Sequence, residues 1–528
     1  MSRWFGLSFC AVLLLAAALR LPELRLRPMH NDEAVNAMKF RDLWAGTGYR
    51  YDPNEFHGPT LPYFTLPLAG WSGPRHFEDL TEATFRLVPA LFGIASIVLL
   101  LGLTPEFGRA ETLWAALFAA VSPAMVFYSR YYIHEIPLLF FTAMAATAGW
   151  RYCRTGRFFW CATAGAGVAL MWATKETFII DLASLLLALV CAALWGHWRG
   201  EKAVMAVVPW HFRHFAGAAG IGLVIGLAFY SSFFTHWAGM ADAFKTYFPW
   251  FHRAEGISPH VHPWAFYWER LLWYHANGGP VWSEALIVAL ALVGFVLSLT
   301  GRGLEPVHDA LARSIALYTA WMTLVYTVLP YKTTWCLLGF YQGMIFLAGL
   351  GAAALVRAPK TRPGRWTLVV LLLTGAGQLG WQSWRGNFAV DKGGVPYCDT
   401  AKNPYTYSQT TPDIYRLMEA VNGLALASPE GYRTVVEVMS PQSYWPLPWY
   451  LRRFQAVGYW DHIPAQPLAP IMIVSTDLHA NFDERPEKSH LMAGYYELRP
   501  NVFFELYVSV DLWTRYLKTL PPDKRQND

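Results

Sequence analysis

The sequence predicts a polytopic α-helical membrane protein with about eleven transmembrane helices and a small C-terminal α/β domain outside the bilayer. Three observations carry that expectation. Of 528 residues, 54% are hydrophobic and only 15% are charged, where soluble domains carry about a quarter. Apolar runs of about 20 residues, enough for one hydrocarbon crossing, recur from the N-terminus to residue 384. Beyond that point the composition turns polar and mixed.

The runs lie near 4–22, 86–104, 111–128, 134–151, 158–174, 177–196, 215–235, 281–300, 312–330, 336–356 and 366–384. The first, behind Ser2-Arg3, resembles a signal peptide with a small-residue stretch at Ala16-Ala17-Ala18. The many spans behind it favour an uncleaved first helix. Leu61–Trp71 holds Pro62 and Pro67 and reads as a re-entrant or interfacial piece. Arg109, Arg151, Arg154, Arg157, Arg199, Lys202, Arg213, Arg302, Arg313, Arg357, Lys360, Arg362 and Arg365 fall in alternate short loops. Cationic loops stay cytoplasmic. That places the N-terminus on the cytoplasmic side of the plasma (inner) membrane and the C-terminal segment outside. The two long loops, 23–85 and 236–280, are then external. The second holds Tyr247, Trp250, Phe251, His252, Trp264, Phe266, Tyr267, Trp268, Trp273 and Tyr274, and reads as an amphipathic segment lying on the bilayer.

Residues 1–384 thus form a transmembrane domain, 385–400 a linker marked by Gly393-Gly394 and Pro396, and 401–528 the external domain. Within the last, Thr411–Ala427 has helical spacing. Arg433–Met439, Ile471–Ser475 and Val502–Val510 read as strands.

Several functions are disfavoured. The net charge of +5 comes with no basic stripe, which argues against nucleic acid. No Gly-rich phosphate loop supports nucleotide binding. Six cysteines without a C-x-x-C argue against a disulfide framework or a zinc site. No internal repeat points to a transporter of duplicated halves.

Chemistry gathers in four places that this topology puts on one membrane face. Ionisable groups there are costly to keep for structure alone. The first is Asp32-Glu33, opening the periodic stretch that Gly46 and Gly48 end. Asp32 could be a helix N-cap with Glu33 in the first turn, or a general base for an acceptor hydroxyl. Downstream in the same loop, Glu55 and His57 could bind phosphate or metal, with Gly58-Pro59 as a turn. The second is Arg130…His134-Glu135, where Glu135 begins an apolar helix and needs a partner. The third is Lys175-Glu176, a pair able to neutralise itself in a tight hairpin. The fourth is Tyr331-Lys332, whose lysine could hold phosphate as a point charge. His260-Val261-His262 is a weaker metal-ligand candidate.

In this order the motifs resemble the GT-C superfamily of membrane glycosyltransferases. They are His30-Asn31-Asp32-Glu33-Ala34, Tyr49-Arg50-Tyr51-Asp52-Pro53, His57-Gly58-Pro59-Thr60, Tyr128-Ser129-Arg130-Tyr131-Tyr132-Ile133-His134-Glu135, Thr174-Lys175-Glu176, Pro330-Tyr331-Lys332-Thr333 and Tyr444-Trp445-Pro446-Leu447-Pro448-Trp449-Tyr450. The resembling groups are protein O-mannosyltransferases, lipid A aminoarabinose transferases and, closest, bacterial and archaeal proteins described as flippase-activity-associated. The resemblance implies an inverting transferase that moves a sugar from a polyprenyl-phosphate donor to an acceptor hydroxyl of protein, lipid or polymer. It makes Asp32 the base or the acid that orients the acceptor, with Glu33 beside it. Glu135 stands where relatives often carry an aspartate. Lys332, Arg130, His57 and Lys175 are candidates for the leaving phosphate. His30, His134, Tyr331, Glu176 and Glu55 would support substrate or loops. Asp32 and Glu135 could hold a divalent ion, Mg or Mn. The competing reading is a non-catalytic partner or transporter for lipid-linked oligosaccharide.

Overall fold

All eleven apolar stretches are helical in the computed structural model, which describes residues 3–54, 57–200, 211–249, 260–302, 304, 309–465 and 468–521. Among the described residues, five helices are long and apolar enough to cross a membrane. They are Arg3–Arg20, Glu82–Gly102, Phe178–Trp198, Phe212–Tyr230 and Thr334–Arg357. A sixth crossing is available if the bent pair Arg109–Val121 and Pro123–Ser129 is one span. The chain is therefore a multi-pass membrane protein, but the count of eleven is not reached on that criterion. The shortfall has two causes. Phe158–Trp172 and Ala285–Thr300 are short. Glu135–Thr155, Asp309–Val328 and Arg362–Phe388 carry charged and polar residues along their length.

The bend of 60° at Ser122-Pro123 shows how the fold keeps broken backbone satisfied. Pro123 has no N–H to give the Ala119 carbonyl, and hydrocarbon supplies no water to replace it. Buried Arg20 fills the gap, donating from Nη2 to Ala119 O at 2.8 Å and from Nη1 to Ala120 O at 2.9 Å. On the same side Ser383 Oγ donates to Val121 O at 2.6 Å, and on the other side of the break Ala124 N donates to Glu284 Oε1 at 2.9 Å.

Helices Ala285–Thr300 and Leu338–Arg357 approach backbone to backbone. A Cβ at Gly294 would lie 2.0 Å from Leu347 O, and one at Gly351 would lie 2.2 Å from Leu290 O. Small residues at such crossings let dispersion do what hydrophobicity cannot do inside lipid. Thr60–Trp71, the expected interfacial piece, is a 12-residue helix with Pro67 inside it. Arg362–Phe388 runs 27 residues and takes up the first four positions of the expected linker.

By internal contacts the chain divides into two units. One is Met1–Leu24, Asp42–Gly73 and Thr81–Tyr407. The other is Arg25–Arg41, Pro74–Leu80 and Ser408–Asp528. The second unit holds a five-stranded sheet. Its strands are β1 (Val436–Met439), β2 (Val457–Trp460), β3 (Ile471–Ser475), β4 (His490–Arg499) and β5 (Val502–Ser509), in spatial order β2-β1-β3-β5-β4. β1 runs parallel to both β2 and β3; β5 runs antiparallel to both β3 and β4. One face packs Val436, Val438, Ile471, Ile473, Leu506 and Val508 against Ile414, Leu417, Val421 and Leu424 of helix Asp413–Ala427.

Candidate functional site

In the first unit the site begins with a glycine. Gly58 N donates to Thr174 O and Thr60 N to Ala173 O, each at 3.1 Å. A Cβ at position 58 would fall 2.2 Å from Ala173 O, so no larger residue allows this approach. The pairing sets His57 beside Glu176, with Nδ1 2.8 Å from Oε2. Tyr51 OH and Thr246 Oγ1 donate to the other oxygen of Glu176, both at 3.5 Å. Burial pushes the Glu176 carboxyl up, but the charge and hydrogen bond of His57, its own backbone N–H and nearby Lys175 outweigh it and hold its pKa below the ordinary value. His134 Nε2 meets Gly58 O at 3.1 Å, and its ring stands edge-on to His57, centroids 5.2 Å apart.

Lys175 does not pair with its neighbour Glu176. Its ammonium donates to Glu135, and both side chains are buried. Burial would lower the Lys175 pKa, but the Glu135 carboxylate outweighs it and holds the pKa above the ordinary value. The apolar helix Glu135–Thr155 can thus open on a carboxylate because a cation compensates it.

Arg130 is turned to structure. Its guanidinium donates to the carbonyls of Arg20 (3.0 Å), Pro22 (2.5 Å) and Glu23 (2.9 Å) and lies 4.5 Å from the Phe388 ring centroid.

Lys332 is only 1% exposed, yet it makes no ion pair among the described residues. Its ammonium donates to the carbonyl of Leu329 in its own loop. Burial lowers its pKa from the ordinary value. Tyr331 pairs its backbone antiparallel with Val261, and its ring sits edge-on to His260.

Asp32 and Glu33 lie in the second unit. Of the two readings of Asp32, the N-cap does not hold. The helix begins at Asn31, with Ala34 N bonded to His30 O at 2.9 Å, so Asp32 sits in the first turn. Glu33, 0% exposed, reaches back to His30 N at 3.0 Å and takes Arg27 Nη2 at 3.3 Å. That is a capping-box acid satisfied by an ion pair. The neighbouring Asp32 is exposed, and its carboxylate receives no bond among the described residues. Its own N–H donates to His30 Nδ1 at 3.2 Å. The aromatic motif at 444–450 holds this stretch: Met29 N donates to Tyr450 OH at 2.9 Å, and Asn31 pairs with Trp445 O and Arg499.

Glu55 lies outside the described residues, as do Trp250, Phe251 and His252 of the aromatic loop and Lys202. No three His, Cys, Asp or Glu side chains converge as metal ligands among the described residues. Glu135 is already compensated by an ammonium that a divalent ion would have to displace, so this donor set does not suit Mg or Mn.

Sequence reasoning missed a polar hub. Glu284, 0% exposed, accepts from Ser122 Oγ (2.7 Å), Ala124 N (2.9 Å), Tyr341 OH (2.6 Å) and Tyr405 OH (2.5 Å). The signal was a carboxylate inside an expected span, which is rare without a function or a partner.

Residues 69–238 match the family model described as dolichyl-phosphate-mannose-protein mannosyltransferase. No curated protein matches the chain by sequence. Solved structures do match. ArnT from Cupriavidus metallidurans, bound to undecaprenyl phosphate, superposes with a TM-score of 0.62 at 14% identity, over 96% of this chain and 98% of that one. The Archaeoglobus fulgidus oligosaccharyltransferase, tethered to an acceptor peptide, gives 0.54 at 12% identity, over 88% of this chain and 64% of that one. The same enzyme with zinc and sulfate gives 0.51 at 12% identity, over 89% of this chain and 68% of that one. The chain carries the GT-C membrane fold that these structures share.

Proposed function

We propose that this chain is an inverting glycosyltransferase that moves a sugar from a polyprenyl-phosphate donor to an acceptor hydroxyl at the extracytoplasmic membrane face. The observation that carries this reading is the division among the candidate acids. Glu33 and Glu135 are each held by a buried cation, while Asp32 is exposed and its carboxylate receives no bond among the described residues. A carboxylate spent on an ion pair cannot readily take a proton; one held rigidly in a first helical turn can.

In the proposed reaction the acceptor oxygen attacks the anomeric carbon and Asp32 takes its proton. The bond from that carbon to the phosphate oxygen breaks with its electron pair on the phosphate. Lys332 holds the developing charge, a buried cation kept for an anion from outside. His57 and Glu176 order the loop around Gly58, and the Lys175–Glu135 pair fixes the start of its helix. Arg130 is assigned to the fold rather than the phosphate, because backbone carbonyls occupy its donors. No step uses a metal. The ArnT match, bound to undecaprenyl phosphate, supports the donor class, and the alternate cationic loops support the orientation. The sheet unit at the C-terminus is the proposed external domain.

The test is mass spectrometry of lipids that co-purify with wild type and Asp32→Asn. A polyprenyl-phosphate monosaccharide enriched on the variant is the expected result, since chemistry stalls while binding persists. A lipid-diphosphate oligosaccharide held equally by both would instead favour a carrier.

A further inference from the structure

We propose that Tyr407, His260 and His262 form a clasp that positions Lys332, making them positioning residues for the donor phosphate. The inference rests on the reading of Lys332 above. It begins from what holds that lysine. No carboxylate among the described residues fixes its ammonium, whose bond is to a carbonyl of its own loop. Its place is therefore set by the backbone beneath it.

That backbone is paired rather than loose. His262 N donates to Pro330 O at 3.1 Å, and Lys332 N donates to His260 O at 2.8 Å, on either side of the Val261–Tyr331 bridge. A two-stranded pairing this short is not stable alone. Alternation along the extended segment sends His260 and His262 to the same face. There both meet one hydroxyl: Tyr407 OH lies 2.6 Å from His260 Nδ1 and 3.1 Å from His262 Nε2. A phenol has one proton to donate and lone pairs to accept. It can therefore donate to one imidazole and accept an N–H from the other. His262 also stacks on Phe266 at 4.2 Å, which fixes its ring plane.

Tyr407 is itself anchored. Two residues earlier, Tyr405 gives its hydroxyl to Glu284 at 2.5 Å, and its carbonyl accepts from Tyr128 OH at 2.7 Å. Trp282 Nε1 donates to Lys402 O at 2.7 Å. The stretch 402–407 is thus a strap seated on the helices. Its last tyrosine grips the strand that pairs with the lysine loop.

The experiment measures binding of undecaprenyl phosphate to the full chain in nanodiscs for wild type, Tyr407→Phe, Lys332→Met and the double variant. Loss of one hydroxyl that bridges two imidazoles should weaken binding about five- to tenfold. Lys332→Met should weaken it further, and the double variant should bind no worse than Lys332→Met, because the clasp acts through the lysine. His262→Gln is the second variant, with the same expectation should Tyr407→Phe fold poorly. Tyr407→Phe binding like wild type while Lys332→Met loses affinity would overturn the clasp and leave the phosphate role standing. Additive losses would also overturn it. Unchanged binding in Lys332→Met would instead remove the reading on which the clasp depends.

Discussion

Asp32 and Glu33 are adjacent acids in one motif, and nothing in their spacing separates a base from a structural group. Burial separates them. Glu33 is enclosed and charge-paired with Arg27, whereas Asp32 faces outward. Removing one partner of a buried pair leaves the other charge uncompensated and costs about 3–5 kcal/mol. Glu33→Gln is accordingly expected to lower the thermal unfolding midpoint clearly. A midpoint unchanged from wild type would mean that Arg27 finds another acceptor. Lys175 and Glu176 give a similar lesson. As a dipeptide they suggest mutual neutralisation, yet they part, Lys175 to Glu135 and Glu176 to His57. Only distant chain can supply such partners, so the sequence could name the residues but not the pairs. The Glu176 pairing has a pH consequence. Its folded pKa lies below the ordinary value. Its contribution to stability is therefore present above the unfolded value of about 4.3 and is lost as pH falls through the folded pKa. Unfolding midpoints of wild type and Glu176→Gln, followed from about pH 6 to pH 3, should converge towards the acid end. A constant gap would show that His57 does not stabilise the charged form.

The helices were legible as elements because a bilayer demands long apolar runs, and each expected run is helical. Their breaks were not legible. Pro123 announces an interruption, but the groups that repair it, Arg20 and Glu284, lie 103 and 161 positions away in the chain. In the sheet, β3 and β5 follow from β-branched and aromatic runs. β2 and β4 escaped. β2 has four residues and contains Gly458, too little pattern to stand out. β4 carries irregular register between Met492 and Gly494 and between Glu497 and Arg499, which breaks its alternation. Helix contact offers a direct test. Gly351→Ala would force a Cβ against Leu290 O, whereas Gly377 has nothing within 4 Å of its Cβ position. Overpacking of a close crossing costs about 1–3 kcal/mol. Gly351→Ala should lower thermal stability in detergent by that order and Gly377→Ala should leave it near wild type. Equal behaviour of the two would mean the helices separate at little cost.

The whole molecule departs most from its linear plan. Sequence order suggested a transmembrane domain to residue 384 with 23–85 as one of its loops, and a separate domain from 401. By contacts, residues 25–41 and 74–80 fall with 408–528. Composition could not show this, because the bonds involved join distant stretches. Met29 is held at both backbone ends, its N–H by Tyr450 OH and its carbonyl by Thr410 Oγ1 at 2.7 Å. Arg452 Nη2 donates to Leu80 O at 3.0 Å, and Phe77 stands edge-on to Trp449 with centroids 5.9 Å apart. The motif Tyr444–Tyr450 is thus tied to the acid pair by packing. This gives a reason for both to stand in one chain without any catalytic role for the tyrosines. The fragment 408–521 retains the sheet and its helix, so it should keep secondary structure. It lacks the segments that cover Tyr450 and Trp449, and those side chains would meet water. Synthetic 25–41 peptide should therefore raise the fragment's unfolding midpoint in a concentration-dependent way, as any ligand of the folded state does. The same peptide with Glu33→Gln should act more weakly, since its own helix start depends on that acid. If neither peptide shifts the midpoint, residues 25–41 contribute nothing to the stability of this unit. Asp32 would then be held by its own helix alone.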